Sequence, residues 1–89
     1  MVAVYVIMAY DVGVERVAKA LKVGRRYLTW VQNSLFEGEL TRAQLEHLKA
    51  DLKKVIDEEK DGVVFYILRR VQYMDREVLG QVEGPERLL

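Results

Sequence analysis

The carboxylate of Asp11 is the side chain of this sequence that is best placed to bind a metal ion. Residues 2–10, VAVYVIMAY, are apolar on both alternating faces and predict a central strand buried on both sides. Asp11 follows this strand directly. Because ligands of α/β proteins gather at the carboxyl ends of strands, Asp11 is a candidate ligand of Mg²⁺, which prefers oxygen. Spacing alone favours the ordinary alternative, that Asp11 is a turn or helix-cap residue.

A second copy of the chain would supply what Asp11 alone lacks. The predicted order β-α-β-β-α-β is the split βαβ or ferredoxin-like arrangement, and two helices can cover only one face of its sheet. Residues 2–10 and 63–68 (VVFYIL) are nevertheless apolar on both faces, so a homodimer is the simplest cover for the other face. Two Asp11 carboxylates near a two-fold axis would repel each other, and a divalent cation between them would relieve that repulsion.

Positive charge is concentrated in the first part of the chain. Residues 1–36 carry five positive and two negative side chains, a net charge of +3, and the remainder carries nine and twelve, a net charge of −3. All the cations but Arg25 recur three or four residues apart on a helix predicted from about Val14 to Gly24, opposite an apolar stripe of Val14, Val17 and Leu21. Such a stripe can follow a phosphate backbone, although a solvated helix face is the commoner meaning. The predicted nucleic-acid-binding residues are Arg16, Lys19, Lys22, Arg25 and Arg26.

Other kinds of site find little support. The absence of cysteine excludes disulfides and thiolate metal ligands and fits a reducing cytoplasm. His47 is the only histidine, so no transition-metal site is indicated. Ser34 and Thr41 lack a plausible base for nucleophilic catalysis, and the aromatic residues are better explained as core than as a base-stacking platform. No apolar run reaches the roughly 18 residues that a membrane span needs, so no membrane partner is expected.

Turn and capping signals place the middle of the chain. Residues 27–40 predict two short strands with a bend at Asn33-Ser34. Thr41 and Gln44 form a capping box at the start of a second helix, which the acidic residues 57–59 end. The apolar stripe of this helix is formed by Leu45, Leu48, Leu52, Val55 and Ile56.

The end of the chain completes the predicted domain. An Asp61-Gly62 turn precedes the strand over residues 63–68, and a last strand is predicted near residues 73–82. We therefore expect an α+β, ferredoxin-like domain over residues 1–82, with this additional C-terminal strand, and a tail over residues 83–89.

Three segments together resemble the second CRISPR-associated protein family, the small subunit of the spacer-acquisition machinery. They are Tyr10-Asp11-Val12, residues 30–41 (WVQNSLFEGELT) and Ala43-Gln44-Leu45, and the resemblance runs from about Val4 to Leu79. The resemblance implies a ferredoxin-like homodimer packed sheet to sheet. It implies that Asp11 faces its mate across the dimer axis as the Mg²⁺ ligand. It also implies that Tyr10, Arg16 and Phe36 lie near this catalytic site.

The resemblance implies one of two activities. Some members are described as metal-dependent endonucleases acting on single-stranded RNA or double-stranded DNA, and others bridge dimers of the CRISPR integrase subunit and hold incoming DNA. We therefore expect a cytoplasmic spacer-acquisition protein that binds DNA or RNA, either as an Mg²⁺-dependent endonuclease or as a non-catalytic scaffold. Some relatives carry Arg directly before Val-Gln, where this chain has Trp30. A regulatory domain that binds a small molecule is a third alternative, which the basic stripe disfavours.

Overall fold

Two helices pack on one face of a four-stranded antiparallel sheet in a computed structural model that describes residues 3–69, 75 and 77–80. The elements are β1 (Ala3–Asp11), α1 (Val17–Tyr27), β2 (Thr29–Gln32), β3 (Leu35–Thr41), α2 (Arg42–Lys53) and β4 (Gly62–Leu68). The strand order is β2-β3-β1-β4, and each neighbouring pair is antiparallel. This βαββαβ arrangement confirms the predicted ferredoxin-like α+β fold.

Strand β1 lies inside the sheet, with β3 on one side and β4 on the other. Its even-numbered residues face the helices, and Val4, Val6 and Met8 are buried there. Because successive side chains of a strand point to opposite faces, its odd-numbered residues, Asp11 included, lie on the face away from the helices. The predicted strand therefore exists, but it ends with Asp11 instead of just before it.

Helix α1 begins and ends about three residues later than the sequence predicted. The carbonyl of Gly13 accepts hydrogen bonds from the backbone N–H groups of Arg16 and Val17, which forms a turn before the first helical residue. Val14 is 87% exposed, so its assignment to the apolar stripe was wrong. The buried residues of α1 are Ala20, Val23 and Gly24.

Gly24 lies within α1 and does not end it, because the helix approaches the core too closely there for a side chain. A Cβ atom on Gly24 would lie 3.0 Å from Cζ of Phe36, tighter than ordinary van der Waals contact. Phe36 on β3 is 0% exposed, and the small residue above it lets helix and sheet close over its ring. The tertiary contact overrides the glycine signal on which the predicted helix end rested.

Helix α2 begins as predicted. The hydroxyl of Thr41 accepts the backbone N–H of Gln44 at 3.1 Å, and the side-chain oxygen of Gln44 accepts the backbone N–H of Thr41 at 2.8 Å. The predicted stripe is buried within the helix at Leu45, Leu48 and Leu52. Its last two members, at positions 55 and 56, follow the end of the helix at Lys53 and still pack partly against the core.

The predicted C-terminal strand receives no support from the residues that can be described. Residues 75 and 77–80 belong to no strand, and the rest of 73–82 lies outside the described residues, as does the predicted tail over 83–89. Over the described part of the chain, none of the helices is long and apolar enough to cross a membrane.

Candidate metal and nucleic-acid site

The carboxylate of Asp11 lies at the end of the sheet where the interior strand β1 ends and its neighbour β4 begins. Asp11 is paired with Gly62 across the β1–β4 ladder, and its side chain is exposed. Within the described residues it makes no side-chain hydrogen bond or ion pair. The N-cap of α1 is Arg16, so Asp11 does not cap that helix. Its two oxygens are therefore free to bind a ligand.

The donor chemistry of Asp11 fits half of a magnesium site. Mg²⁺ is commonly bound by one or two carboxylates together with water and phosphate oxygens. Residues 3–69, 75 and 77–80 contain no group of three His, Cys, Asp or Glu side chains that could hold a metal ion. Within these residues one chain thus offers the free carboxylate of Asp11 without further ligands grouped around it, and a second copy would offer a second carboxylate.

The side chains of Tyr10 and Phe36 lie on the opposite face of the sheet from Asp11. Their ring centroids are 5.9 Å apart, and the Tyr10 hydroxyl donates a 2.8 Å hydrogen bond to the carbonyl of Asn33. Burial raises the pKa of that hydroxyl above its usual value, and the Arg25 guanidinium partly offsets the rise. In one chain the structure does not bring these two rings beside Asp11; Tyr10 fastens the β2–β3 turn and Phe36 fills the core.

The guanidinium of Arg16 is bound to the carboxylate of Asp61. Its Nε donates to Oδ2 of Asp61 at 2.6 Å, and its Nη2 donates to Oδ1 at 2.8 Å. This bidentate pair holds the pKa of Asp61 well below the usual carboxyl range and raises the pKa of Arg16. Sequence reasoning identified Asp61 only as a turn residue, because its partner lies 45 residues away along the chain.

The remaining predicted cations are all exposed and therefore accessible to a polyanion. Among the described residues, Lys19, Lys22 and Arg26 form no salt bridge. Arg25 lies over the ring of Trp30, with its Cζ atom 5.9 Å from the ring centroid. The predicted stripe therefore divides into one cation that is paired with Asp61 and others that remain accessible.

Trp30, like Tyr10, stabilises the β2–β3 turn by a side-chain hydrogen bond to the carbonyl of Asn33. Its indole N–H donates a 2.9 Å hydrogen bond to the carbonyl of Asn33, the atom that also accepts from Tyr10. Asn33 has a φ of 38°, in the left-handed region that asparagine tolerates better than most residues. Directly before Val31 and Gln32, this chain thus has an indole held in place by the turn and covered by Arg25.

Apolar side chains of β1 and β4 form a strip on the sheet face that carries Asp11, and Glu37 and Glu39 of β3 lie beside this strip. Val64 is 51% exposed and Tyr66 is 57% exposed, and they are paired with Ala9 and Ile7 of β1. Soluble proteins rarely leave such a contiguous apolar surface in water. The strand pattern therefore places Asp11 at one end of a surface suited to a partner.

Comparisons with known proteins agree with this architecture. Residues 4–76 match the family model described as CRISPR associated protein Cas2. A protein of Archaeoglobus fulgidus named CRISPR-associated endoribonuclease Cas2 2 is 55% identical over 83 residues, which cover 93% of this chain and 90% of that protein. A Dictyoglomus turgidum protein named CRISPR-associated endoribonuclease Cas2 is 50% identical over 76 residues, covering 85% of this chain and 87% of the relative.

A solved structure is similar over almost the whole chain. The crystal structure titled cas2 superposes with a TM-score of 0.85 at 42% identity and covers 98% of each chain. The family-model match, the relatives and this likeness agree on one assignment. The chain belongs to the CRISPR-associated protein Cas2 family.

Proposed function

We propose that this protein acts in CRISPR spacer acquisition as a nucleic-acid-binding homodimer and as a Mg²⁺-dependent endonuclease on single-stranded RNA or double-stranded DNA. The observation that carries the proposal is the free carboxylate of Asp11 at the end of an apolar sheet face. The names of the relatives, which are endoribonucleases, support cleavage of phosphodiester bonds. The lack of cysteine supports a reducing compartment such as the cytoplasm.

A homodimer packed sheet to sheet would complete the site. On the face away from the helices, the strip that carries Val64 and Tyr66 is apolar, and a two-fold axis across it brings like residues together. Asp11 lies on that face, so the axis would bring two carboxylates toward each other. Their repulsion favours a divalent cation between them, which makes metal binding and dimerisation mutually supportive.

The chain's own residues would divide the work between binding and metal retention. When bound, Mg²⁺ would polarise the scissile phosphate and lower the pKa of a bound water. Asp11 from both chains would hold the ion. The exposed cations Lys19, Lys22 and Arg26 would bind the phosphate backbone with an affinity that falls as salt rises.

A non-catalytic scaffold is the second candidate. It is favoured by the absence of a three-ligand metal group among the described residues and by the use of Arg16 in an internal ion pair, which removes one cation from the substrate surface. In that role the basic faces would hold protospacer DNA and the dimer would bridge integrase subunits. Cleavage itself would then be absent, and binding would not depend on Asp11.

Substitution of Asp11 by Asn separates the two candidates. We expect Asp11→Asn to lower Mg²⁺-dependent cleavage of labelled RNA and duplex DNA by about 100-fold or more, because it removes a ligand charge from the ion. Duplex binding, measured by fluorescence anisotropy, should change little. Glu58→Gln is the control, since Glu58 is an exposed carboxylate in the turn that precedes β4.

The outcomes point in different directions. Cleavage by Asp11→Asn at the wild-type rate would exclude Asp11 as the metal ligand. A wild-type protein that binds DNA tightly, supports spacer acquisition with its integrase and cleaves nothing in Mg²⁺ would establish the scaffold.

A further inference from the structure

The carboxylate of Asp61 accepts hydrogen bonds from three residues in two separate parts of the chain, the turn before α1 and the loop before β4. Its Oδ1 accepts from the backbone N–H of Gly13 at 2.9 Å and from Arg16 Nη2 at 2.8 Å. Its Oδ2 accepts from Arg16 Nε at 2.6 Å and from the backbone N–H of Asp57 at 2.8 Å. The side chain of Asp61 is only 1% exposed, so these four bonds replace nearly all of its contact with water.

Asp61 is connected to the backbone of Asp11 in two ways, through its chain neighbour Gly62 and through its hydrogen-bond donor Gly13. Along β4, Asp61 is followed by Gly62, the strand partner of Asp11. Along β1, the chain leaves Asp11 through Val12 and is held at Gly13, whose N–H donates directly to Asp61. The strand end that presents the free carboxylate is therefore tied to one buried side chain from both sides.

Asp61 and the residues bonded to it, Gly13, Arg16 and Asp57, form what we call the Asp61 anchor. This anchor leaves no room for a side chain on Gly13. A Cβ atom on Gly13 would lie 2.5 Å from Nη2 of Arg16 and 2.5 Å from Oε1 of Glu15. Glycine is thus needed for the backbone to approach the ion pair. Because the guanidinium is held by two hydrogen bonds to Asp61, it has little freedom to make room.

We propose that Asp61 is a positioning residue, which fixes the strand end carrying Asp11 through Gly13 and Gly62. Arg16 belongs to this anchor and not to the phosphate-binding surface. The consequence for metal binding rests on the proposed role of Asp11, whereas the anchoring of the backbone does not. Asp61 itself touches no substrate in this scheme.

The test compares two Asp→Asn variants of the full-length protein. Asp61→Asn replaces an acceptor by a group that must present N–H donors to Gly13 or Arg16. Asp51→Asn is the matched control, because Asp51 accepts a 2.6 Å hydrogen bond from Tyr27 between α1 and α2, away from Asp11. Both variants lose one carboxylate that accepts a side-chain hydrogen bond from a residue at an end of α1, Arg16 for Asp61 and Tyr27 for Asp51.

Hydrogen exchange by mass spectrometry reports the anchoring without any metal. We expect Asp61→Asn to accelerate exchange of residues 9–14 about tenfold relative to residues 35–40 of β3, because local opening becomes easier. Asp51→Asn should leave this ratio at the wild-type value. A merely global loss of stability would accelerate both segments together, so the ratio isolates the strand end.

Titration with Mn²⁺, followed by calorimetry, reports the positioning. We expect about tenfold weaker binding by Asp61→Asn than by wild type and unchanged binding by Asp51→Asn. An unchanged exchange ratio, or a raised ratio with wild-type Mn²⁺ affinity, overturns the positioning role. Failure of the wild type to bind Mn²⁺ refutes the proposed metal function instead, and the exchange ratio then decides the anchor alone.

Arg16→Met provides a second, independent variant. If Arg16 acts only in the anchor, Arg16→Met leaves the salt dependence of RNA binding at the wild-type slope and raises the exchange ratio as Asp61→Asn does. A slope that falls by about 0.7 for single-stranded RNA would place Arg16 on phosphate and contradict the assignment.

Discussion

The hydroxyl of Tyr27 and the carboxylate of Asp51 share a 2.6 Å hydrogen bond that joins the end of α1 to α2. This bond lowers the pKa of Asp51 below its usual value, and it raises the pKa of Tyr27 above its usual value. A carboxylate with a lowered pKa stabilises the fold above its unfolded pKa, and this contribution disappears as the pH falls through the folded value. A phenol with a raised pKa stabilises the fold below its unfolded pKa, and the contribution disappears as the pH rises through the folded value.

Tyr27→Phe should therefore lower the melting temperature by several degrees at neutral pH and by progressively less at both extremes. The difference from wild type should be constant from about pH 5 to about pH 9, because the unfolded pKa values of Asp and Tyr are about 3.9 and about 10. Differential scanning calorimetry in a pH series measures it. A Tyr27→Phe deficit that is equally large at pH 3 would contradict the assignment.

At the scale of elements, the sequence predicted the order of strands and helices because their signals are local. The capping box at Thr41 and Gln44 involves residues three apart, and it forms as expected. The doubly apolar pattern of β1 likewise predicted its interior position and the strand end at which Asp11 stands. What failed were the bounds of α1, where a packing contact between Gly24 and Phe36 outweighs the local glycine signal.

The residues that meet at the candidate site were harder to predict from the sequence, because their contacts are also tertiary and not local. Tyr10 and Asp11 are neighbours in sequence, and strand alternation places them on opposite faces. Arg16 fits a phosphate-binding stripe by its spacing, yet it is engaged by Asp61 across 45 residues. Such a pairing depends on how two loops meet at one end of the sheet, which no local pattern encodes.

The proposed binding of nucleic acid by helix α1 can be distinguished from attraction by the overall charge of the protein. Replacing Lys19 and Lys22 together by Gln should reduce the slope of log affinity against log salt by about 1.4 for single-stranded RNA and by about 1.8 for duplex DNA. Each lysine neutralises one phosphate in this proposal, and each loss releases one fewer counterion. Fluorescence anisotropy over a salt series provides the slopes.

The matched control replaces Lys53 and Lys60 by Gln, which removes the same charge from exposed positions outside α1. This pair should leave the slope at the wild-type value. Equal effects of the two double variants would mean that the protein attracts nucleic acid by overall charge and not through α1.

At the scale of the whole molecule, the helices cover one face of the sheet, and we expect a second copy of the chain to cover the other. The even-numbered residues of β1 pack under α1 and α2, whereas Val64 and Tyr66 on the opposite side remain about half exposed. Within the part of the chain that the structure describes, apolar surface is thus exposed at the same place as half of the proposed metal site. Both deficits are met by one symmetric contact, which is why dimerisation and metal binding are proposed together.

Val64→Lys should break this contact, because it places a charge within an apolar surface that faces its own copy. We expect the dissociation constant of the proposed dimer to rise at least about 30-fold, so that sedimentation gives the 10.4 kDa mass of one chain at concentrations where we expect wild type to be dimeric. Mn²⁺ affinity and cleavage should fall with the loss of dimer, since each chain then offers one carboxylate.

Val14→Lys is the matched control: it makes the same substitution at a position that is 87% exposed and precedes α1, and it should remain dimeric. A Val64→Lys protein that sediments as one chain and still binds Mn²⁺ as tightly as wild type would separate the metal site from the dimer, and Asp11 would then act within one chain.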